Sequence, residues 1–268
     1  MTERTPASVA VVGTIGRADP PTTSPGPARP TRSAAERGAA LDAIAAEVRT
    51  CQRCPLAAGR TRAVPGEGDP DTEVVLVGEG PGFNEDRLGR PFVGRAGELL
   101  VRLLATLGWR REEVFITNVV KCRPPENRDP EPAEIAACLP FLRRQLEILD
   151  PALVVTLGRH SMGRFMPGDR IGAVHGTMAP ADPETGAAAA MVYALYHPAA
   201  ALRSSEVERQ SFADVAGIPA ALLEARRRRE VQPATASTAP QGRAAPVIDP
   251  GVGSEPVTNA EPDPPTLF

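Results

Sequence analysis

Residues 73–82 read EVVLVGEGPG, and this stretch decides the fold class of the 268-residue chain. Four consecutive aliphatic residues bounded by turn residues are typical of a strand buried on both faces. The three glycines that follow let the backbone turn tightly and present its N–H groups to a ligand. The stretch therefore predicts the first strand of an α/β domain with a functional loop after it.

Outward from this stretch, short aliphatic runs alternate with helical patterns. The strands are predicted at Glu73–Val77, Val114–Thr117, Leu153–Thr156 and Met191–Leu195. The helices are predicted at Ala39–Val48, Ala96–Leu107, Pro132–Leu149, His160–Phe165 and Arg209–Arg226. Alternation of strand and helix implies parallel pairing through right-handed crossovers. We expect a three-layer α/β/α domain with a central four-stranded parallel sheet.

The two ends of the chain differ from its centre in composition. Segments 1–38 and 231–268 are rich in proline and carry almost no periodic apolar pattern, so both are predicted to be disordered tails. Residues 39–230 are left as one domain, because about 190 residues bury one sizeable core but not two.

Charge and hydropathy limit the possible partners. The net charge is −3, and segment 231–268 supplies it with four acidic residues against one arginine. A neutral remainder argues against coating nucleic acid by bulk charge but permits a local basic groove. No apolar run is as long as a signal sequence or a membrane span. We expect a cytoplasmic protein with no membrane contact, and a monomer.

Polar side chains follow three of the predicted strands. Glu79 comes after the first strand, Asn118 ends the second, and His197 follows the last. Because ligands bind beyond the carboxyl ends of parallel strands, these residues are expected to converge. Each also has a plain explanation, since Asn118 is suited to capping a turn and a single histidine is most often a hydrogen-bonded loop residue.

The loops around the first strand leave further alternatives open. The glycine loop lacks the Lys-Ser/Thr of a phosphate-binding loop, and Phe83 occupies the third glycine position of a dinucleotide fingerprint. Taken alone, the loop is equally an ordinary turn. Phe92 lies between Pro91 and Gly94 instead of in a periodic apolar stripe. Its side chain either fills a space in the hydrophobic core or forms the stacking face of a pocket for a planar base.

Four cysteines suggest a metal site. Cys51 and Cys54 form a CxxC pair, Cys122 lies 68 positions after Cys54, and Cys138 lies 16 positions further on. In a reducing compartment such residues bind metal or do redox chemistry more often than they form disulfides. Four thiolates suit either tetrahedral zinc or an iron–sulfur cluster, and spacing alone does not choose between them.

Taken together, these motifs resemble the family 4 uracil-DNA glycosylases, the iron–sulfur branch of that superfamily. The similarity covers about residues 41–224. It is carried by Cys51-x-x-Cys54, Gly78–Gly82, Gly89–Gly94, Ile116–Pro124, Cys138 and His197-Pro198.

The resemblance implies removal of uracil from single- or double-stranded DNA, leaving an abasic site for base excision repair. It implies a 4Fe-4S cluster, and the matching cysteines are Cys51, Cys54, Cys122 and Cys138. By the same resemblance, Glu79 orients or activates the hydrolytic water and stabilises positive charge on the sugar. Phe92 stacks on the base, Asn118 reads the uracil edge and His197 donates to uracil O2.

Four further residues are assigned less directly. The glycine loop with Gly78 and Gly80 is expected to contribute to substrate binding. Leu202 and Arg203, after His197, are candidates for the wedge and phosphate contacts that hold DNA while the base is flipped out.

One feature of this sequence indicates the subfamily, and another suggests a further partner. Crosslinking relatives carry a basic, histidine-containing insertion after the second strand, whereas residues 123–132 contain no histidine. We therefore expect turnover rather than suicide crosslinking. The last four residues, Pro265–Phe268, resemble the Leu-Phe ending of peptides that bind the bacterial sliding clamp, although they lack the usual upstream glutamine.

Other functions remain as alternatives. A glycosylase of broader range would also remove hypoxanthine or other deaminated bases, which Asn118 disfavours. An iron–sulfur module that binds nucleic acid or transfers electrons is a second alternative, disfavoured because a carboxylate such as Glu79 is unfavourable beside DNA phosphates. The arginine run Arg226–Arg229 is either a solvated helix end or a nonspecific DNA contact.

Overall fold

The computed structural model describes residues 32–231 of the chain. Residues 1–31 and 232–268, which make up most of the two predicted tails, lie outside the described residues. The tetrapeptide Pro265–Phe268, compared above with clamp-binding peptides, is among them. No helix within residues 32–231 is both long and apolar enough to cross a membrane.

The described residues form an α/β domain. Its strands are β1 Glu67–Gly68, β2 Val74–Gly78, β3 Phe115–Asn118, β4 Leu153–Leu157, β5 Met178–Pro180 and β6 Met191–Leu195. Its helices are α1 Ala34–Thr50, α2 Leu56–Gly59, α3 Phe83–Leu88, α4 Arg95–Thr106, α5 Pro132–Leu149, α6 Arg159–Phe165, α7 Ile171–Val174, α8 Pro198–Ala201, α9 Ser205–Val215 and α10 Ile218–Val231.

The sheet has the strand order β1-β3-β2-β4-β6-β5. The four predicted strands form its parallel centre, with β2 paired to β3 and β4, and β4 paired to β6. The predicted number of strands needs correction, because β1 and β5 add an antiparallel pair at each edge. These edge strands are two and three residues long and carry no aliphatic run that would reveal them in the sequence.

Both faces of the central sheet are covered by helices, which confirms the three-layer arrangement. Successive residues of β2 point to opposite faces, as the period of a strand requires. Val75 and Val77 pack with α1, α5 and α6, whereas Val74 and Leu76 pack with α4, α9 and α10. Each fully buried aliphatic side chain contributes about 1.5–3 kcal/mol to folding, so the two cores hold the strand ends in place.

Helix α1 begins earlier than predicted. It starts at Ala34 instead of Ala39, because Ser33 and Glu36 form a capping box. The Glu36 backbone N–H donates to Ser33 Oγ at 3.2 Å, and the Ser33 N–H donates to Glu36 Oε2 at 2.7 Å. This signature is present in the sequence. The ordered part of the chain therefore includes residues 34–38, which were predicted as tail.

The last predicted helix, Arg209–Arg226, is in fact two helices. The chain breaks between α9 and α10 at Gly217. A Cβ atom at this position would lie 2.4 Å from the Tyr193 hydroxyl oxygen. The Tyr193 side chain, which extends from β6, therefore leaves room only for glycine between the two helices.

The arginine run at the end of α10 is occupied by ion pairs. Arg226 donates to Glu73 Oε2 at 2.6 and 2.9 Å, and both side chains are buried. Arg229 donates to Asp150 Oδ1 at 2.9 Å. Glu73 and Asp150 precede β2 and β4, at the sheet edge opposite the strand carboxyl ends. Arg226 and Arg229 thus fasten α10 to the domain, whereas the two exposed arginines between them pair with Glu224 on the same helix. Arg226 and Arg229 are therefore not free for a DNA contact.

Candidate functional site

A pocket forms where the carboxyl ends of the strands meet. Gly78 ends β2 and pairs with Asn118, which ends β3. A Cβ atom on Gly78 would lie 2.4 Å from Asn118 Oδ1 and 2.7 Å from Phe92 Cζ, so only glycine fits there. The rings of Phe92 and His197 are 5.8 Å apart between centroids. The structure thus brings together four of the residues predicted to bind substrate.

Asn118 has the most informative side chain in this pocket. It is 1% exposed, and neither Oδ1 nor Nδ2 has a hydrogen-bond partner among the described residues. A buried polar atom without a partner costs about 1–3 kcal/mol, and native proteins carry few of them. A carboxamide in this state offers one acceptor and one donor to a ligand that carries the complementary pair.

Phe92 is held in place by side chains from both sides. Its φ of 51° lies in the left-handed region, which is strained for a non-glycine residue. Glu85 Oε1 accepts the N–H groups of the two following residues at 2.8 Å each, and Arg111 Nη1 donates to the Phe92 carbonyl at 2.9 Å. The chain packs so closely on α4 that a Cβ atom on Gly97 would lie 1.9 Å from that carbonyl oxygen.

His197 caps α8 with one ring nitrogen and leaves the other available. Its Nδ1 accepts the Ala199 N–H at 3.1 Å, so the neutral ring carries its proton on Nε2. Burial, and then the nearby Arg203 guanidinium, lowers the pKa of His197 to about 4. His197 is therefore a neutral hydrogen-bond donor at physiological pH. Arg203 and the 36% exposed Leu202 follow α8 directly, next to the pocket.

Glu79 lies beside the pocket in contact with two groups that the sequence did not suggest. Its Oε2 is 3.9 Å from His160 Nε2, which is in turn 3.2 Å from Asp129 Oδ2. Burial raises the pKa of Glu79, protonated His160 lowers it and Asp129 raises it. The carboxylate is therefore more basic than an exposed glutamate.

Gly80 has a packing role in the structure. A Cβ atom there would lie 2.7 Å from Val120 Cγ2, and the Val120 N–H donates to the Glu79 carbonyl at 3.0 Å. The missing side chain lets the loop after β2 pack on the loop after β3. A direct contact of Gly80 with substrate stays a prediction.

The four cysteines are free thiols that line one cavity. Arg60 Nη1 lies 3.1 Å from Cys122 Sγ, and the Lys121 backbone N–H donates to Cys138 Sγ at 3.3 Å. Burial raises the pKa of Cys122, and it raises that of Cys138 to about 11. Four clustered thiols, two of them buried beside a guanidinium and a backbone N–H donor, suit a bound metal centre.

The spacing of the sulfur atoms bears on the kind of metal centre. Within the described residues, no three of the cysteine sulfurs lie within 4.8 Å of one another. A single zinc ion with Zn–S bonds of about 2.3 Å would hold them about 3.8 Å apart. No three of these sulfurs are therefore as close together as in a tetrahedral zinc site.

Comparison with known proteins agrees with this geometry. Residues 65–216 match the family model described as the uracil DNA glycosylase superfamily. The chain is 49% identical over 175 residues to the type-4 uracil-DNA glycosylase of Saccharolobus solfataricus, covering 63% of this chain and 80% of that protein. This chain belongs to the type-4 uracil-DNA glycosylases. The type-4 enzyme of Thermotoga maritima is 45% identical over 177 residues, 65% of this chain and 91% of that protein.

The family membership confirms the resemblance predicted from the motifs. A type-5 uracil-DNA glycosylase of Thermus thermophilus is also similar, at 38% identity over 113 residues, covering 37% of this chain and 51% of that protein. The type-4 relatives named above thus match the chain over a longer region and at higher identity.

In this type-4 glycosylase, a buried lysine joins the pocket to the cysteine cavity. Lys121 is 1% exposed, and its Nζ donates to Thr117 Oγ1 at 2.6 Å, the Asn118 carbonyl at 2.8 Å and Gln145 Oε1 at 2.7 Å. Burial lowers its pKa to about 7. Lys121 holds the segment between Asn118 and Cys122 in one conformation.

Sequence reasoning missed several of these supporting residues. Lys121 lies inside the quoted motif, but nothing marks it as buried. Glu85 and Arg111 act on the Phe92 loop from different elements, so no local pattern reveals them. His160 had a usable signal, because it follows Gly158 at the carboxyl end of β4, where ligand-facing residues are expected.

Proposed function

We propose that this protein removes uracil from DNA by hydrolysing the N-glycosidic bond and leaves an abasic site for base excision repair. The observation that carries the proposal is the buried, unpartnered carboxamide of Asn118 beside Phe92 and His197. In this proposal the protein is a monofunctional glycosylase, acting on single- or double-stranded DNA.

Asn118 would select uracil through its hydrogen-bonding edge. Its Nδ2 donates to uracil O4, and its Oδ1 accepts from N3–H. Cytosine presents the reverse pattern, a donor at position 4 and an acceptor at N3. Each unsatisfied buried group would cost cytosine about 1–3 kcal/mol. The carboxamide thus discriminates between two bases of nearly equal size.

The target base must leave the DNA stack to reach this pocket. Phe92 would stack on the flipped base, which contributes about 1–3 kcal/mol. Leu202 and Arg203, which follow His197, would fill the gap in the DNA and contact a phosphate. The backbone N–H groups of Gly78 and Gly80 would contribute to binding the base.

Catalysis would rest on two opposite charges. As the bond between N1 and C1′ breaks, its electron pair moves to the base, and His197 Nε2–H donates to the developing charge on O2. The carboxylate of Glu79 stabilises the positive charge on the sugar and orients the water whose oxygen bonds to C1′. The raised pKa of Glu79 suits its acceptance of the water proton.

The cysteine cavity would hold a 4Fe-4S cluster, with Cys51, Cys54, Cys122 and Cys138 as its ligands. Bound there, the cluster supplies a crosslink between elements and takes no part in glycosidic bond cleavage. The four free thiols that line one cavity and the Arg60 guanidinium at 3.1 Å from Cys122 Sγ support this assignment. Cys122 lies four residues after Asn118, the last residue of β3, so this crosslink would pin the segment that follows Asn118.

The proposal is tested with a uracil-containing oligonucleotide, no added divalent metal, and detection of abasic sites by alkaline cleavage. We expect the wild type to make abasic sites and both Glu79→Ala and His197→Ala to lose most of this activity. Arg227→Gln, on the distant α10 surface, is the matched control and should equal the wild type. A wild type that binds iron and makes no abasic sites would refute the proposal.

Other sequence predictions are carried forward into this proposal. We expect turnover without crosslinking, since residues 123–132 contain no histidine. Excision of hypoxanthine is expected to be weak, and a panel of damaged oligonucleotides measures it. A cytoplasmic location, a monomeric state and a clamp contact through Pro265–Phe268 stay predictions.

A further inference from the structure

Three ionisable side chains meet beside the pocket, each from a different strand end. Glu79 follows β2, Asp129 lies in the loop after β3, and His160 is in the first turn of α6 after β4. His160 Nε2 is 3.9 Å from Glu79 Oε2 and 3.2 Å from Asp129 Oδ2. The imidazole nitrogen therefore lies within reach of two carboxylates that would otherwise repel each other.

A fourth group shares the same nitrogen. Arg159 Nε–H donates to His160 Nε2 at 2.9 Å, so Nε2 is an unprotonated acceptor in this arrangement, and the Arg159 guanidinium also pairs with Asp129. A protonated Nε2 donates to a carboxylate, whereas an unprotonated Nε2 accepts from Arg159. His160 can thus place a positive charge next to Glu79 in its protonated form.

A divalent metal ion is the competing occupant of this cluster. The ligand atoms of Glu79, Asp129 and His160 lie within 4.8 Å of one another. Arg159 argues against a metal, because its Nε–H already occupies the His160 lone pair that would bind an ion and its guanidinium already neutralises Asp129. The cluster has its cation built into the chain.

We propose that His160, anchored by Asp129, is a positioning residue whose protonated form, in which Nε2 donates to a carboxylate instead of accepting from Arg159, supplies the positive counter-charge that keeps Glu79 ionised and oriented for hydrolysis. This inference rests on the proposed glycosylase function and extends it to a residue that does not touch the substrate. Without a counter-charge, a half-buried carboxylate beside DNA phosphates would take up a proton and lose its ability to accept one from water.

The charged groups that face Glu79 within residues 32–231 fix the signs of the expected effects. They are His160 and Arg159 from α6 and Asp129 from the loop after β3. Protonated His160 lowers the pKa of Glu79, so its removal raises that pKa. Asp129 raises the pKa of Glu79, so neutralising it lowers that pKa.

The experiment measures kcat and KM for uracil excision from pH 4.5 to 8.5 in His160→Gln, Asp129→Asn and the wild type. Arg164→Gln, on the exposed side of α6, is the control. We expect the acidic limb of kcat to move up by about 0.5–1 pH unit in His160→Gln and down in Asp129→Asn. Near pH 6, kcat of His160→Gln should fall several-fold with KM within twofold of the wild type.

The two opposite shifts separate an electrostatic role from a structural one. A variant that merely loosens the fold would lower activity without moving the acidic limb, and thermal melting of each variant detects such loosening. The inference would be overturned if the acidic limb of kcat lay at the same pH in all variants, or if it moved in the same direction in His160→Gln and Asp129→Asn. It would also be overturned if EDTA abolished the activity and a divalent cation restored it. A wild type without excision activity would instead count against the proposed function.

Discussion

Two buried polar regions adjoin each other at the end of β3, and they differ in how their hydrogen bonds are satisfied. In the pocket, the Asn118 side chain has no partner among the described residues. In the lysine cradle, formed by Lys121, Thr117 and Gln145 with the Asn118 carbonyl, the ammonium has three acceptors within 2.8 Å. Both side chains are 1% exposed. Burial is therefore equal, and unmet hydrogen-bonding capacity distinguishes the residue that we propose binds substrate from the one that supports the fold.

The strongest test of this contrast is Asn118→Ala. We expect kcat/KM for uracil excision to fall by about 10²–10³-fold, because uracil loses both edge contacts. Stability should stay equal or rise slightly, since two unsatisfied buried atoms are removed. Steady-state kinetics and thermal melting of the same sample measure both quantities.

A large loss of stability in Asn118→Ala would break the contrast. It would show that the carboxamide makes structural hydrogen bonds in solution. Iron content, followed by the brown absorbance of the protein, serves as the control that the neighbouring cavity is unaffected.

Lys121→Met should give the opposite result in the cradle. The substitution keeps the length of the side chain but leaves three buried acceptors without their donor, so we expect the free energy of unfolding to fall by about 3 kcal/mol. Denaturant titration measures this change. The loss in kcat/KM should be much smaller than in Asn118→Ala, because no substrate contact is removed.

If kcat/KM fell by the same factor in Lys121→Met and Asn118→Ala, the distinction between the two regions would be lost. Arg164→Gln on α6 is again a useful control, since this exposed substitution should change the free energy of unfolding by less than about 0.5 kcal/mol.

The third and smallest effect concerns pH and His197. Its pKa of about 4 in the folded protein lies below the ordinary value of about 6.5 in the unfolded chain. Between these values the unfolded chain takes up a proton that the folded protein does not, so stability falls as pH drops from about 6.5 to 4.

His197→Asn keeps an acceptor for the Ala199 N–H but does not titrate. The melting temperature of the wild type minus that of this variant should therefore decrease by several degrees between pH 7 and pH 4.5. This decrease corresponds to a loss of about 2 kcal/mol in the free energy of unfolding. An advantage that is constant with pH would mean that His197 titrates normally and is less buried than the pocket requires.

Much of the fold follows from local sequence patterns. The four central strands carry consecutive aliphatic residues, because parallel strands are buried on both faces, and the run at residues 73–77 shows this most clearly. The edge strands β1 and β5 were missed because a strand of two or three residues has no period to detect. The break at Gly217 was missed because it depends on the approach of Tyr193, a contact between residues distant in the chain.

The candidate site divides in the same way. Glu79, Asn118 and His197 were predictable because each follows a strand, and the strand ends of a parallel sheet converge. The residues that hold them, such as Arg111 and His160, act across the fold. Their partners are set by tertiary packing, so only the structure reveals that Arg111 supports Phe92 or that His160 contacts Glu79.

The clamp on Phe92 by Glu85 and Arg111 has a thermodynamic consequence for product release. Because these contacts hold Phe92 in place before any ligand arrives, we expect little ordering entropy to be lost when a base stacks on it. The same contacts remain available to free uracil after the glycosidic bond is broken. The protein should therefore be inhibited by the base it releases, and product inhibition would report how far the slot is preformed.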